Sequence, residues 1–198
     1  MRQRLVCLMA CLLSCLLLSG CEIVPFAREL ESTALVQVLG VDWAGEGVVL
    51  TAACDPEAGG GTAVLLASGC SLQEAKQLLE GAGEERVSLT HVAQIVLGAD
   101  SEHYAVLEAV LNEPILGQGA TVWLTKEGTA SNLLESVRGG AKRLSSIELN
   151  SGVKPVTVLQ SLMYLEENGQ VEVPVLEVTE GVLQWSGTIR IREENYAT

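Results

Sequence analysis

Sixteen residues without a charge, Leu5 to Gly20, run up to a single cysteine in the stretch LLLSGCEIV. That run decides how much of the chain is available for a fold. Arg2 and Arg4 precede it, Leu5 to Leu18 is apolar, and Ser19 and Gly20 are small. A positive start, an apolar centre and small residues before a cut are the three parts of a secretory signal, which takes no part in the mature fold. The run is a little short for a membrane-crossing helix, which needs about 17–25 residues. No strong stop-transfer cluster follows it, since Arg28 stands among Glu29 and Glu31.

The segment Leu18-Ser19-Gly20-Cys21 resembles the bacterial lipobox. The resemblance implies cleavage between Gly20 and Cys21 and a diacylglycerol on the Cys21 thiol. Two acyl chains anchor a soluble domain without spanning the bilayer, where one chain binds only marginally. The expected location is the extracytoplasmic face of a membrane. The alternative is an uncleaved signal anchor in which Cys21 is incidental.

A chain of 198 residues suits one domain, or one and a part, and 48% hydrophobic residues suffice for a packed core. Removal of the signal takes away two arginines and no acid, so the net charge of −13 becomes −15. A body this acidic disfavours nucleic acid and an anionic membrane surface. Cys7, Cys11 and Cys15 leave with the signal, which leaves Cys54 and Cys70 beyond Cys21. Outside the cytoplasm these two can bridge. They can equally remain as independent thiols, and neither lies in a CxxC or metal spacing.

Thr33 to Val41 is β-branched and apolar and predicts a strand. Val48 to Ala53 reads as its hairpin partner across the turn Asp42 to Gly47. Thr62 to Ser68 reads as a third strand. At Ser71-Leu72-Gln73-Glu74 the period changes: the spacing matches a capping box, and Leu72, Ala75, Leu78 and Leu79 share a helical face. Val92 to Leu97 and Ala120 to Thr125 predict strands. Between them Asp100 or Ser101 opens a helix to about Asn112, with Tyr104, Leu107 and Leu111 inward and Pro114 beyond. Thr129 or Ser131 opens a further helix carrying Leu133, Leu134 and Val137. Arg138 to Arg143 is expected as a loop.

After Asn150 the pattern restarts with a helix over Val156 to Glu166, whose apolar residues are Val158, Leu159, Leu162 and Leu165. Asn168-Gly169 closes it. Val171 to Val178 alternates, with Pro174 pointing to an edge or bulge. Val182 to Arg192 reads as a strand or bent hairpin. The expected fold is α+β: a mixed sheet with helices in an N-terminal domain over 33–150, after a signal at 1–20 and a lipidated tether at 21–32. An abbreviated second α/β segment over 151–198 follows.

Motifs for chemistry are sparse. No HExxH, GxSxG or P-loop is present. His91 precedes an apolar strand and reads first as a hydrogen-bonded structural residue. A Cys54/His91 or Cys70/His91 dyad lacks any identifiable orienting group. His103 is placed on a solvated helix face. Gly59 to Gly61 lacks the helix start and Lys-Ser/Thr of a phosphate cradle. Asp42 and Glu46 can bind a cation, or accept backbone N–H groups at a turn. Arg138, Lys142 and Arg143 form a small basic cluster that can meet headgroups or an acidic partner, or lie solvated. No cofactor, no metal and no enzymatic activity are expected.

Read in order, several stretches resemble one family. The lipobox is followed by Arg28-Glu29-Leu30 and by Leu39-Gly40-Val41-Asp42. Gly69-Cys70-Ser71-Leu72-Gln73-Glu74-Ala75 and Leu89-Thr90-His91 come next, the latter leading to Ile95-Val96-Leu97-Gly98. Val122-Trp123-Leu124-Thr125 and Val173-Pro174-Val175-Leu176 complete the set. The chain resembles the Ger(x)C spore germination lipoproteins, the C subunits of nutrient germinant receptors. The resemblance implies a non-catalytic adaptor on the outer face of the spore inner membrane, with multi-spanning A and B subunits as partners. A surface around Glu29, Asp42 and His91 is the expected partner contact. The chain departs from the family at Glu22-Ile23, where Trp-Asp often follows the lipidated cysteine, and it stops at Thr198, short of a further C-terminal domain. The rival readings are a stand-alone lipid-anchored solute-binding or sensor domain, and a cell-envelope enzyme using Cys54 or Cys70.

Overall fold

A computed structural model describes residues 33–45, 47–54, 63–82, 86–137 and 140–192. Cys21, Glu29 and Gly59 to Gly61 lie outside these residues. Among the described residues eight strands form one sheet: β1 (Thr33–Ala44), β2 (Gly47–Cys54), β3 (Ala63–Gly69), β4 (Arg86–Ser88), β5 (Gln94–Leu97), β6 (Thr121–Thr125), β7 (Gln170–Thr179) and β8 (Val182–Arg192). Their order is β3-β2-β1-β5-β6-β7-β8, with β4 pairing β1 off this path. The central strands β1, β5, β6 and β7 are parallel. The antiparallel pairs β1–β2, β2–β3 and β7–β8 flank them, so the sheet is mixed and the fold α+β, as expected.

Parallel strands covered on both faces read as unbroken apolar runs. All four residues of β5 are buried, and four of five in β6. Leu39, Val41, Ile95, Leu97, Val122 and Val175 point to one face. There they meet α1 (Leu72–Glu80), α2 (His103–Leu111) and α5 (Val158–Asn168). Val38, Val96, Trp123 and Leu176 point to the other face and meet α3 (Ala130–Ser136) and α4 (Gly140–Asn150). Residues two apart on a strand normally share a face. Val36 and Val38 do not, because a bulge lies between them: Val36 pairs with Cys54 and Val38 with Ala53. Gly40 admits α3 to the sheet, since a Cβ there would stand 2.9 Å from Leu134 Cδ1 and 3.1 Å from Ala130 Cβ.

The residues after 150, expected as a partial second domain, belong to the same sheet. β7 pairs with β6, α5 packs on α2 and β7, and from Ala34 onward the chain is one compact unit. Pro174 is buried in β7, where the ladder to β6 has not yet begun, and the β7–β8 register shifts at Val175/Leu176, just beyond it. The expected loop at Arg138 to Arg143 is corrected in part: α4 starts at Gly140, so Lys142 and Arg143 are exposed helix residues. Two glycines break the pattern there, and good helix formers follow without a proline.

Helix faces depart from the periodicity in detail. Leu78 is half exposed, while Lys76 is buried and paired with Glu113. Ser71 caps α1 by accepting from Glu74 N, but the Glu74 carboxylate accepts from Cys70 N rather than from the cap residue. Helix α5 begins two residues later than expected, behind a full capping box of Thr157 and Gln160, which leaves Leu159 exposed. Gly169 ends it in the left-handed conformation (φ 65).

The β7–β8 hairpin closes through Glu180 and Gly181, with φ 54 and 76. Two positive φ values in a two-residue loop define a type I′ turn, which favours Asn-Gly. Glu180→Asn is expected to raise the unfolding free energy by about 0.5–1 kcal/mol, read from the urea midpoint at unchanged slope.

Candidate functional site

The carboxyl ends of the parallel strands bring together Asp42 and His103, two of the polar residues that the sequence singles out. Asp42 follows Val41, the last β1 residue paired with β5. Its Oδ1 accepts from Ala130 N at 2.6 Å and its Oδ2 from Ser131 N at 3.0 Å. Thr129 Oγ1 accepts from Asn132 N at 3.2 Å. The first three amides of α3, which have no partner inside the helix, are therefore all satisfied by side chains. A carboxylate is favoured at this end by charge as well as by hydrogen bonding.

The loop after β5 is shaped around the same carboxylate. A Cβ at Gly98 would overlap Asp42 Oδ1 and stand 2.9 Å from Ser101 Oγ. Gly98 N donates to Val41 O at 3.2 Å, and Trp43 N donates to Ser101 Oγ at 3.1 Å. Use of the Ser101 hydroxyl on β1 explains why it does not cap α2, whose cap residue is Glu102 without a side-chain bond. Ala99 N and Thr125 Oγ1 both donate to Gly128 O, at 2.9 and 3.1 Å.

His103, expected on a solvated face, is half-buried, with Nε2 2.9 Å from Gly98 O. A carbonyl only accepts, so Nε2 carries the proton. Burial lowers the His103 pKa, partly offset by the Gly98 carbonyl and by the charge of Asp100.

Beside α3 an open groove of about 290 Å³ is lined by Lys126, Asn132, Leu133, Leu176 and Glu177, among others. Lys126 Nζ donates to Glu177 Oε2 at 2.6 Å, and Gln184 Nε2 donates to Oε1 of the same carboxylate at 3.0 Å. The hydrogen bond and charge of Glu177 raise the Lys126 pKa, and the bond to Lys126 lowers that of Glu177. This pair lies at the surface, where such bridges contribute little.

Open parallel sheets bind ligands at the carboxyl edge where the strand order reverses. Here β1, β5, β6 and β7 advance in one direction. The α3 terminus that would take an anion is filled by Asp42. Among the described residues no group of three His, Cys, Asp or Glu is placed to hold a metal.

Of the expected partner surface, Asp42 turns inward to α3. His91 is exposed in the turn before β5, at the amino ends of the strands and on the opposite edge of the sheet. Glu29 lies outside the described residues. The structure does not bring Asp42 and His91 together. Cys54 is buried and Cys70 is exposed, and no disulfide joins the two.

Asp42→Ala is expected to lower stability by about 2–3 kcal/mol, since two hydrogen bonds to a charged group are lost. Asp42→Asn, which keeps one acceptor, loses less; denaturant unfolding ranks the two. For His103 the folded pKa lies below the unfolded value, so its contribution is present above about pH 6.5. It declines as the pH falls below that value, because the unfolded chain takes up the proton first. Unfolding free energy is expected to fall between pH 7 and 5.5, and His103→Gln to flatten that slope.

No family model, no curated protein and no solved structure matches the chain.

Proposed function

We propose that this chain is a lipid-anchored, non-catalytic subunit that docks on multi-spanning A and B subunits of a nutrient germinant receptor in the spore inner membrane. The observation that carries this reading is the order of sequence stretches behind Cys21, which resembles the Ger(x)C lipoproteins from Arg28-Glu29-Leu30 to Val173-Pro174-Val175-Leu176. Two of those stretches meet in space, as Gly98 of Ile95-Val96-Leu97-Gly98 lies against Asp42 of Leu39-Gly40-Val41-Asp42. A fold-determining contact is a physical reason for both to recur within a family. Cys21 supplies the anchor, and the domain works by presenting a surface rather than by chemistry.

The test is recovery of tagged protein in detergent from the inner membrane of dormant spores, wild type against Cys21→Ala. Wild type is expected to bring down multi-spanning partners, and Cys21→Ala to lose most of them together with membrane partition. An anchored protein without partners would leave the rival solute-binding or sensor domain as the better reading. Absence from spores would overturn the germination role.

A further inference from the structure

The sheet ends in two edge strands, β3 and β8, and each has one side without a partner strand among the described residues. Unpaired strand edges template pairing with other chains, and proteins blunt them with charge, bulges or proline. β8 is blunted in this way. It carries Arg190 and Arg192, its ladder to β7 shifts register at Val175/Leu176, and Gly187 takes a positive φ of 135. β3 has none of these devices. Its sequence, Ala63-Val64-Leu65-Leu66-Ala67-Ser68-Gly69, holds no charge and no proline. From Ala63 to Gly69 it pairs with β2 in unbroken register.

The side chains beside this edge are apolar on both faces. Leu65 and Ala67 pack against the core beneath α1. Leu66 stands between them and so points to the other face, where it is 43% exposed. Helix α1 covers β3 and β2. From it Lys76 reaches Glu113, beyond α2. Leu78 lies about 200° further round the helix. It is therefore turned from α2 toward the free side of β3, and it is 51% exposed.

Charge selects the occupant of this edge. The chain carries a net charge of −13, so two copies repel wherever acids face each other. Like charges directly opposite across a strand pair are destabilising. A two-fold axis sets residues near the middle of a strand against their own equivalents. Pairing between two copies of an acidic protein therefore requires a strand without charge. A basic or acidic strand from another protein would find no opposite charge on β3.

We propose that the free edge of β3 pairs antiparallel with β3 of a second copy of this chain, across a two-fold axis, to make one sheet through both subunits. Leu66, the middle residue of β3, lies beside the axis and meets its own equivalent. The blunted β8 edges stay outside, so assembly closes at two subunits. Pairing at β3 is independent of the membrane partners proposed above.

The test is sedimentation equilibrium of the full chain in density-matched detergent. Wild type is expected to dimerise reversibly. Leu66→Lys and Leu66→Glu each change a half-exposed side chain and set like charges together at the axis. Each is expected to weaken the dimer about tenfold or more. Mixed in equal amounts, the two are expected to recover the dimer, because each mixed pair opposes an ammonium to a carboxylate. That recovery also shows that both variants are folded. Ile189→Lys, at an exposed residue of β8, is expected to leave association unchanged. A wild type that stays monomeric at the highest concentration kept in solution would overturn the proposal. So would a dimer that Leu66→Lys leaves intact, loss of the dimer in Ile189→Lys, or a mixture that fails to associate.

Discussion

Four adjacent parallel strands with apolar side chains on both faces need cover on both. Same-handed crossovers between parallel neighbours collect their helices on one face. Here α1, α2 and α5 share one face, which alone would leave Val38, Val96, Trp123 and Leu176 exposed. The connection from β6 to β7 meets the need by laying α3 and α4 over that second face before α5 returns to the first. Everything about this excursion depends on where α3 begins. Asp42 fixes that point by holding two of its amides, and Gly40 lets the helix approach the strand.

The same carboxylate decides what the carboxyl edge of the sheet can do. A helix terminus facing parallel strand ends is a common anion site. A side chain from β1 already supplies the anion here, and Gly98 leaves no space for a larger one beside it. The edge is thereby turned to holding the fold, with Ser101, His103, Thr125 and Gly128 joining the loops by hydrogen bonds.

Much of the element order was legible because it depends on local pattern. The strands at Val48 to Ala53 and Ala120 to Thr125 follow from apolar runs, the cap at Ser71 from residue chemistry, and the end of α5 from Gly169. The misplaced features depend on distant partners. Lys76 is buried because Glu113 meets it, and no helical period contains that fact. The bulge at Gln37 moves one residue across the sheet without a glycine to mark it. At the site, Asp42 was legible as a carboxylate that can accept backbone N–H groups, but its donors lie 88 and 89 residues away. The Gln94–Glu148 contact, 54 residues apart, left no local signal. The segment after Asn150 reads as a fresh start because a long helical connection separates it from β6, although its strands complete the same sheet.

The start of β1 has a geometric consequence. It lies on the amino edge of the parallel strands, the edge that also carries the Gln94–Glu148 contact. Were Cys21 lipidated as proposed, the eleven residues from Glu22 to Ser32 could span at most roughly 40 Å between the lipid and β1. The chain enters the described fold at that edge and not at the opposite one. On the reading proposed above, that edge would stay within the same distance of the bilayer.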